Sequence, residues 1–181
     1  MQQTLAALVE NKPGVLNRVV SLFRQRNFNI DSLTVGRTEN PDISRMTIVV
    51  DREPEQIKKH LQKLVNVIQV EQLTGMPDVS RDLALIKVRV DSQTRTEVAQ
   101  LCEIFRANIV DATPEAVIVQ IVGDDQKINS MINLLRDIGI MEMVRTGIVS
   151  MTRGEHVLSP NGYKARNGSN GKSNGSQPNP L

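Results

Sequence analysis

The chain repeats itself, and this limits its fold more than any single motif does. Leu22, Asn29 and Ile30 correspond to Leu101, Asn108 and Ile109 at an offset of 79 residues. Ile57, Leu61 and Leu64 correspond to Ile128, Ile132 and Leu135 at an offset of 71. The shorter second offset gives the first copy the longer hairpin loop, the kind of exposed turn that tolerates insertion. A unit of this size must build a small core of its own or share one with its neighbour.

Within each copy the hydrophobic period switches between strand and helix in one order. Residues 4–9 read as a strand. Val15, Val19, Leu22 and Phe23 then make a helical stripe over residues 13–26. Residues 29–37 and 45–51 read as a hairpin split by Glu39-Asn40-Pro41-Asp42. Pro54 suits the first turn of a helix carrying Ile57, Leu61, Leu64 and Val65, and residues 67–73 close the unit as a strand. The second copy follows with a strand at 83–90 and a stripe of Val98, Leu101, Cys102 and Phe105. Strands at 108–112 and 116–123, a stripe of Ile128, Met131, Ile132 and Leu135, and a last strand at 140–149 complete it. The expected fold class is α+β, with two tandem ferredoxin-like βαββαβ units at 1–75 and 82–154. Residues 76–81 are the expected linker and 155–181 an expected disordered tail. Each unit leaves one sheet face without helices, and that face needs a partner from the other repeat or another chain.

Only Phe23, Phe28, Phe105 and Tyr163 are aromatic among 181 residues, so the cores must be built from Val, Ile, Leu and Met. Net charge is +2, divided into +3 after Met151 and −1 over the body, which disfavours a basic nucleic-acid face. No apolar run approaches the ~20 residues of a membrane helix. The start Met1-Gln2-Gln3-Thr4 lacks the pattern of a secretory signal, so a cytoplasmic protein is expected. Cys102 is alone, and His60 and His156 are far apart, so neither an internal disulfide nor a metal site is expected. The Asn/Gly/Ser-rich stretch 167–176 cannot bury enough surface to offset its own ordering.

Fold alone does not choose a function. The most informative segment is Asn11-Lys12-Pro13-Gly14-Val15-Leu16, between the first strand and the first helix. Asn11 reads as a helix cap and Pro13 as a helix start. Gly14 leaves main chain bare at a helix N-terminus, where free N–H groups and a partial positive charge suit a carboxylate. Asn29, at the head of the second strand, offers an acceptor for an ammonium group. Together these features suit an amino-acid zwitterion. The corresponding turn in the second copy, Asp91-Ser92-Gln93-Thr94-Arg95-Thr96, has neither Pro nor Gly, so no equivalent site is expected there.

These residues also carry a family resemblance. Asn11 to Leu16 as quoted, Phe28-Asn29-Ile30-Asp31-Ser32-Leu33-Thr34-Val35-Gly36, and Asp42-Ile43-Ser44-Arg45-Met46-Thr47-Ile48-Val49-Val50 resemble the regulatory small subunit of acetolactate synthase, also called acetohydroxyacid synthase. Leu64-Val65-Asn66-Val67 and Val144-Arg145-Thr146-Gly147-Ile148-Val149-Ser150-Met151-Thr152-Arg153-Gly154 resemble it too. The resemblance implies an N-terminal ACT domain and no catalysis by this chain. It implies a catalytic large subunit as partner, holding thiamine diphosphate, Mg2+ and FAD, and joining pyruvate to pyruvate or 2-oxobutyrate. The small subunit activates that partner and confers feedback inhibition by valine, in valine, isoleucine and leucine biosynthesis. The implied effector site lies where two ACT domains of a homodimer meet, at Asn11, Gly14 and Asn29, with Val15, Leu16 and Ile30 adjacent.

Other readings are weaker. Glu10 and Asp31 flank the site as solvated or capping carboxylates, and His60 reads as exposed. An RNA-binding module of the same topology would stack bases on aromatic residues in its central strands. Residues 45–51 and 116–123 contain none. A free-standing ACT-type sensor acting on another enzyme or on transcription is the remaining alternative.

Overall fold

A computed structural model of the chain describes residues 2–51 and 53–160. The first unit runs β1 (Gln3–Glu10), α1 (Val15–Gln25), β2 (Ile30–Arg37), β3 (Ile43–Val50), α2 (Pro54–Leu61) and β4 (Val67–Gln72). The second runs β5 (Asp78–Arg89), α3 (Thr94–Phe105), β6 (Asn108–Ala112), β7 (Ala116–Gly123), α4 (Asp125–Ile138) and β8 (Ile140–Arg145), and β9 (Val149–Thr152) follows. Strand orders β2-β3-β1-β4 and β6-β7-β5-β8 are one arrangement used twice, with antiparallel neighbours throughout. The α+β fold of two βαββαβ units is thus the one the periodicity predicts.

Strand alternation decides what each sheet buries. Leu5, Ala7 and Val9 of β1 and Met46, Ile48 and Val50 of β3 point to the helices. They meet Val15, Val19 and Phe23 of α1 and Ile57 and Leu61 of α2. Phe23 packs edge-to-face on Phe28, with ring centroids 6.2 Å apart. In the second unit Ala84, Ile86, Val88, Val117, Val119 and Ile121 meet Val98, Ile128, Met131 and Leu135. Cys102 is buried there, and burial pushes its thiol pKa up, which keeps it unreactive.

The opposite face of the first sheet is also buried. Ala6, Leu8, Thr47 and Val49 are each at most 3% exposed. Two departures from the sequence reading account for this. Strand β5 begins at Asp78, inside the expected linker, and its first residues pair with β9 (Asp78 with Thr152, Arg81 with Val149). The expected strand at 140–149 is broken into β8 and β9, with Gly147 between them at φ +86°. The break turns β9 onto the first sheet, where Arg45 Nη2 donates to the Ser150 carbonyl at 2.8 Å. Residues 155–160 continue along this face, and His156 Nε2 lies 2.8 Å from Glu71 Oε1. The rest of the expected tail, 161–181, lies outside the described residues. Among the described residues no helix is long and apolar enough to cross a membrane.

Candidate functional site

Helix α1 begins on Gly14, which has φ +83° and no side-chain cap. A Cβ at Gly14 would meet nothing within 4 Å, so the main chain there faces open space. Asn11 does not cap the helix as its position predicts. Its Nδ2 donates to the Pro41 carbonyl at 2.8 Å, and its own N–H donates to the Asp42 carbonyl at 2.7 Å. The β2–β3 hairpin loop thereby holds the turn from behind; the Val15 N–H donates to the Lys12 carbonyl at a long 3.4 Å, and the remaining N–H groups of the first turn of α1 keep their capacity for an anion. Val15 is 4% exposed and anchors the turn in the core, whereas Leu16 is 44% exposed.

The second repeat shows what these groups do when a carboxylate is supplied. At the start of α3, Asp91 Oδ1 accepts from the N–H groups of Gln93 (2.9 Å) and Thr94 (2.8 Å) and from Thr94 Oγ1 (2.9 Å). Those bonds, led by the Thr94 N–H, hold the Asp91 carboxyl below its ordinary range. The second copy fills its own anion position, which is a physical reason for it to hold no ligand there.

Glu10 is buried rather than solvated. It is 6% exposed, accepts from Asn66 Nδ2 at 2.6 Å and pairs with Lys12 Nζ at 3.3 Å. Asn66 in turn accepts from Arg18 Nη1 at 2.6 Å. Glu10 is thus matched by Lys12 directly and by Arg18 through Asn66. His60 is half-buried, with its ring centroid 6.4 Å from that of Phe28.

Asn29 and Ile30 lie elsewhere. Ile30 pairs with Val50, as does Gln3, so the head of β2 is at the start of β1. Glu10, next to the Gly14 turn, pairs with Ile43 at the other end of β3. Seven residues of strand separate the two ends, about 23 Å at ~3.3 Å per residue. A single chain brings together Asn11, Gly14, Val15 and Leu16, and separately Asn29 and Ile30, but not the two groups. At its own end, Asn29 Nδ2 donates to Asp31 Oδ1 at 2.8 Å, and Gln2 Nε2 donates to Asp31 Oδ2 at 3.3 Å. The Asn29 amide oxygen and the Asp31 carboxylate together make a fitting receptor for an ammonium group.

Comparison with known proteins is decisive at this point. Residues 5–69 match the model of the AHAS small subunit-like ACT domain, and residues 81–154 match that of the small subunit of acetolactate synthase. A probable acetolactate synthase small subunit from Archaeoglobus fulgidus is 50% identical over 157 residues, covering 85% of this chain and 98% of that protein. The acetolactate synthase small subunit from Mycobacterium bovis is 48% identical over 154 residues, covering 83% and 92%. The crystal structure of the Thermotoga maritima small subunit superposes with a TM-score of 0.80 at 42% identity, covering 86% of this chain and 99% of that one. The chain belongs to the acetolactate synthase small-subunit family.

Sequence reasoning missed a buried ion-pair cluster inside the second unit, at the turn that follows β8. Asp82 is 3% exposed, and its carboxylate accepts from Arg145 Nε at 2.6 Å and from Thr146 Oγ1 at 3.0 Å. Arg145 also reaches Asn129 (3.0 Å) and Asp125 (2.9 Å) on α4. These carboxylates raise the Arg145 pKa against the desolvation that lowers it. The sequence signal was Arg145-Thr146-Gly147, which interrupts the expected strand 140–149. Among the described residues no group of three or more His, Cys, Asp or Glu is placed to hold a metal ion.

Proposed function

We propose that this small subunit senses valine at a site shared by two copies of its ACT domain, and that it activates and feedback-inhibits the catalytic large subunit. The observation that carries the reading is the split between Gly14 and Asn29 across one sheet. Two half-sites on one chain, one for a carboxylate and one for an ammonium, call for a second chain in antiparallel orientation. Of the two edge strands of the first sheet, β2 and β4, β2 is the one whose two ends carry the two half-sites, so it is the edge on which a two-fold partner fits. Antiparallel pairing there sets the Gly14 turn beside Asn29 of the partner subunit.

The same edge has the apolar surface that such a dimer requires. Leu16 and Val20 of α1 and Val35 of β2 are 44%, 41% and 42% exposed. In this arrangement the N–H groups around Gly14 and Val15 donate to the valine carboxylate, and Asn29 and Ile30 of the partner subunit supply the ammonium acceptor and an apolar wall. Charge-assisted bonds of this kind contribute about 1.5–3 kcal/mol each. Affinity in the micromolar to sub-millimolar range corresponds to roughly −5 to −8 kcal/mol. Discrimination against isoleucine by one methylene is worth only ~1–3 kcal/mol, so related aliphatic amino acids bind with graded affinity.

Thiamine diphosphate, Mg2+ and FAD belong to the large subunit in this reading, and carbon–carbon bond formation occurs there. The small subunit acts by differential stabilisation: valine inhibits to the extent that it prefers the less active arrangement of the complex. The test is to reconstitute the chain with its large subunit and measure acetolactate formation with and without valine, leucine and isoleucine, with calorimetry on the same sample. Stimulation by the chain and inhibition by valine are expected. A complex that binds none of the three amino acids contradicts the sensor reading.

A further inference from the structure

A single turn joins the effector-sensing strand to the second unit. The Ile148 N–H donates to Ser32 Oγ at 3.2 Å, and Thr34 Oγ1 donates to the Thr146 carbonyl at 3.3 Å. Between them Gly147 sits at φ +86°, where a Cβ would stand 2.5 Å from Ser32 Oγ and 3.0 Å from Thr34 Oγ1. The close approach and the left-handed backbone both require glycine.

The turn is held very differently on its two sides. Toward the second unit, the Thr146 N–H donates to the Leu83 carbonyl at 3.0 Å, and Thr146 Oγ1 and Arg145 both engage the buried Asp82. Arg145 extends that grip to α4 through Asp125 and Asn129. Toward the first unit, the two β2 hydroxyls seat the turn. Those hydroxyls lie immediately beyond Asn29 and Ile30 on the same strand. The register of β2 against β3 shifts between Ile30 and Ser32, so an irregularity at Asp31 lies between the half-site and the clasp. A cavity of about 430 Å3, lined in part by Asp31, Ser32, Asp125, Arg145 and Gly147, opens beside it.

We propose that the Ser32–Gly147 clasp transmits the effector signal: engagement of Asn29 changes the backbone at Asp31, the change alters how the 146–148 turn seats on Ser32, and Arg145 with Asp82 passes it to the second unit. The proposal rests on the reading that the effector meets Asn29, and it names the residues that carry the consequence. A displacement at the head of β2 reaches Ser32 within two residues, and the turn it moves is hydrogen-bonded to β5 of the second unit through Thr146, with Arg145 beside it bonded to Asp82 and α4. Coupling of this kind has physical content only if both sites bias one element with two seatings, and the clasp is that element.

The test uses the reconstituted holoenzyme with three readouts: valine binding by calorimetry, valine inhibition of acetolactate formation, and hydrogen exchange at residues 146–150. Gly147→Ala pushes a methyl group into Ser32, and Ser32→Ala removes the acceptor for the Ile148 N–H with no added bulk. The second variant serves if the first does not fold. In the parent, valine is expected to change exchange at 146–150. In either variant, valine still binds and the activity without valine stays near the parental value, while the inhibition reached at saturating valine collapses. Parental inhibition in Ser32→Ala, with unchanged exchange at 146–150, overturns the clasp and leaves the effector site standing. Absence of valine binding in the parent overturns the effector site, and the clasp's role with it.

Discussion

Replacing Gly14 by Asp separates the electrostatic claim from every structural one. The structure predicts a modest folding cost. No atom lies within 4 Å of a Cβ built at Gly14, so nothing clashes. The left-handed backbone at φ +83° costs about 1–2 kcal/mol for a side-chain-bearing residue, and Asp is among those that tolerate it best. For a chain of this size about 1 kcal/mol lowers Tm by roughly 2–4 °C. The binding cost is far larger. A fixed carboxylate about 4 Å from the effector's own carboxylate adds about 4 kcal/mol of repulsion at an effective dielectric constant of ~20. A charge-assisted bond lost to the new side chain adds about 1.5–3 kcal/mol. Since about 1.4 kcal/mol is tenfold, valine affinity should fall by well over about a hundredfold. Gly14→Ala is the control, because it carries the same backbone strain and no charge. The assay is a valine titration of holoenzyme activity, with thermal melts of each variant. Similar melts and a far higher inhibition midpoint for Asp than for Ala are expected. Equal valine sensitivity in Gly14→Asp and parent refutes placing the carboxylate at this turn.

Other outcomes follow from the same reasoning. The isolated chain, given pyruvate, thiamine diphosphate, Mg2+ and FAD, should form no acetolactate, as a coupled or colourimetric product assay will show. Cutting after Pro160 should leave stimulation of the large subunit intact, whereas cutting after Gly154 removes the His156–Glu71 contact and should lower the melting temperature as well. Phe23→Ala deletes a side chain that is 1% exposed and should cost about 3–5 kcal/mol in denaturant unfolding. Asp78 accepts hydrogen bonds from Ser80 and Ser150, which hold its pKa below the ordinary carboxylate value against the effect of burial. Its contribution to stability is therefore present above that ordinary value and fades as pH falls through the lowered one. Asp78→Asn should be less stable than the parent near neutrality and lose less stability on acidification, as melts at several pH values will register.

Much of the fold was legible because each repeat is locally consistent. Stripes such as Val15, Val19, Phe23 and Ile128, Met131, Leu135 mark helices that the sheets then bury. What could not be read was how the repeats meet. Arg145-Thr146-Gly147 interrupts residues 140–149, but Ile148 and Val149 resume the apolar pattern, so one continuous strand fits the sequence as well as two. Gly147 shows its role only through its contact with Ser32, 115 positions earlier in the chain. Asp78 to Arg81 read as linker for the opposite reason: Ser80 and Arg81 look like turn residues until β9 supplies a partner.

The bare main chain at Gly14 was visible in the sequence, since a glycine just before an apolar stripe puts a residue without a Cβ at the start of the helix. Asn11 was misassigned because an Asn before a helix usually caps it. Here the neighbouring hairpin loop offers the Pro41 and Asp42 carbonyls, and the tertiary bonds win. The distance between Gly14 and Asn29 is a property of strand register, which local patterns do not encode.

The central claim is that one effector site is built from two chains, and intersubunit complementation tests it most directly. Chains carrying Gly14→Asp and chains carrying Asn29→Ala, each silent to valine alone, are co-expressed with different tags and isolated as mixed dimers. If the site is shared, one of the two sites in the mixed dimer combines the unaltered Gly14 of one chain with the unaltered Asn29 of the other. Calorimetry should then find one valine bound per pair of chains. If the mixed dimer binds no valine while the parent dimer does, the two residues do not serve a shared site.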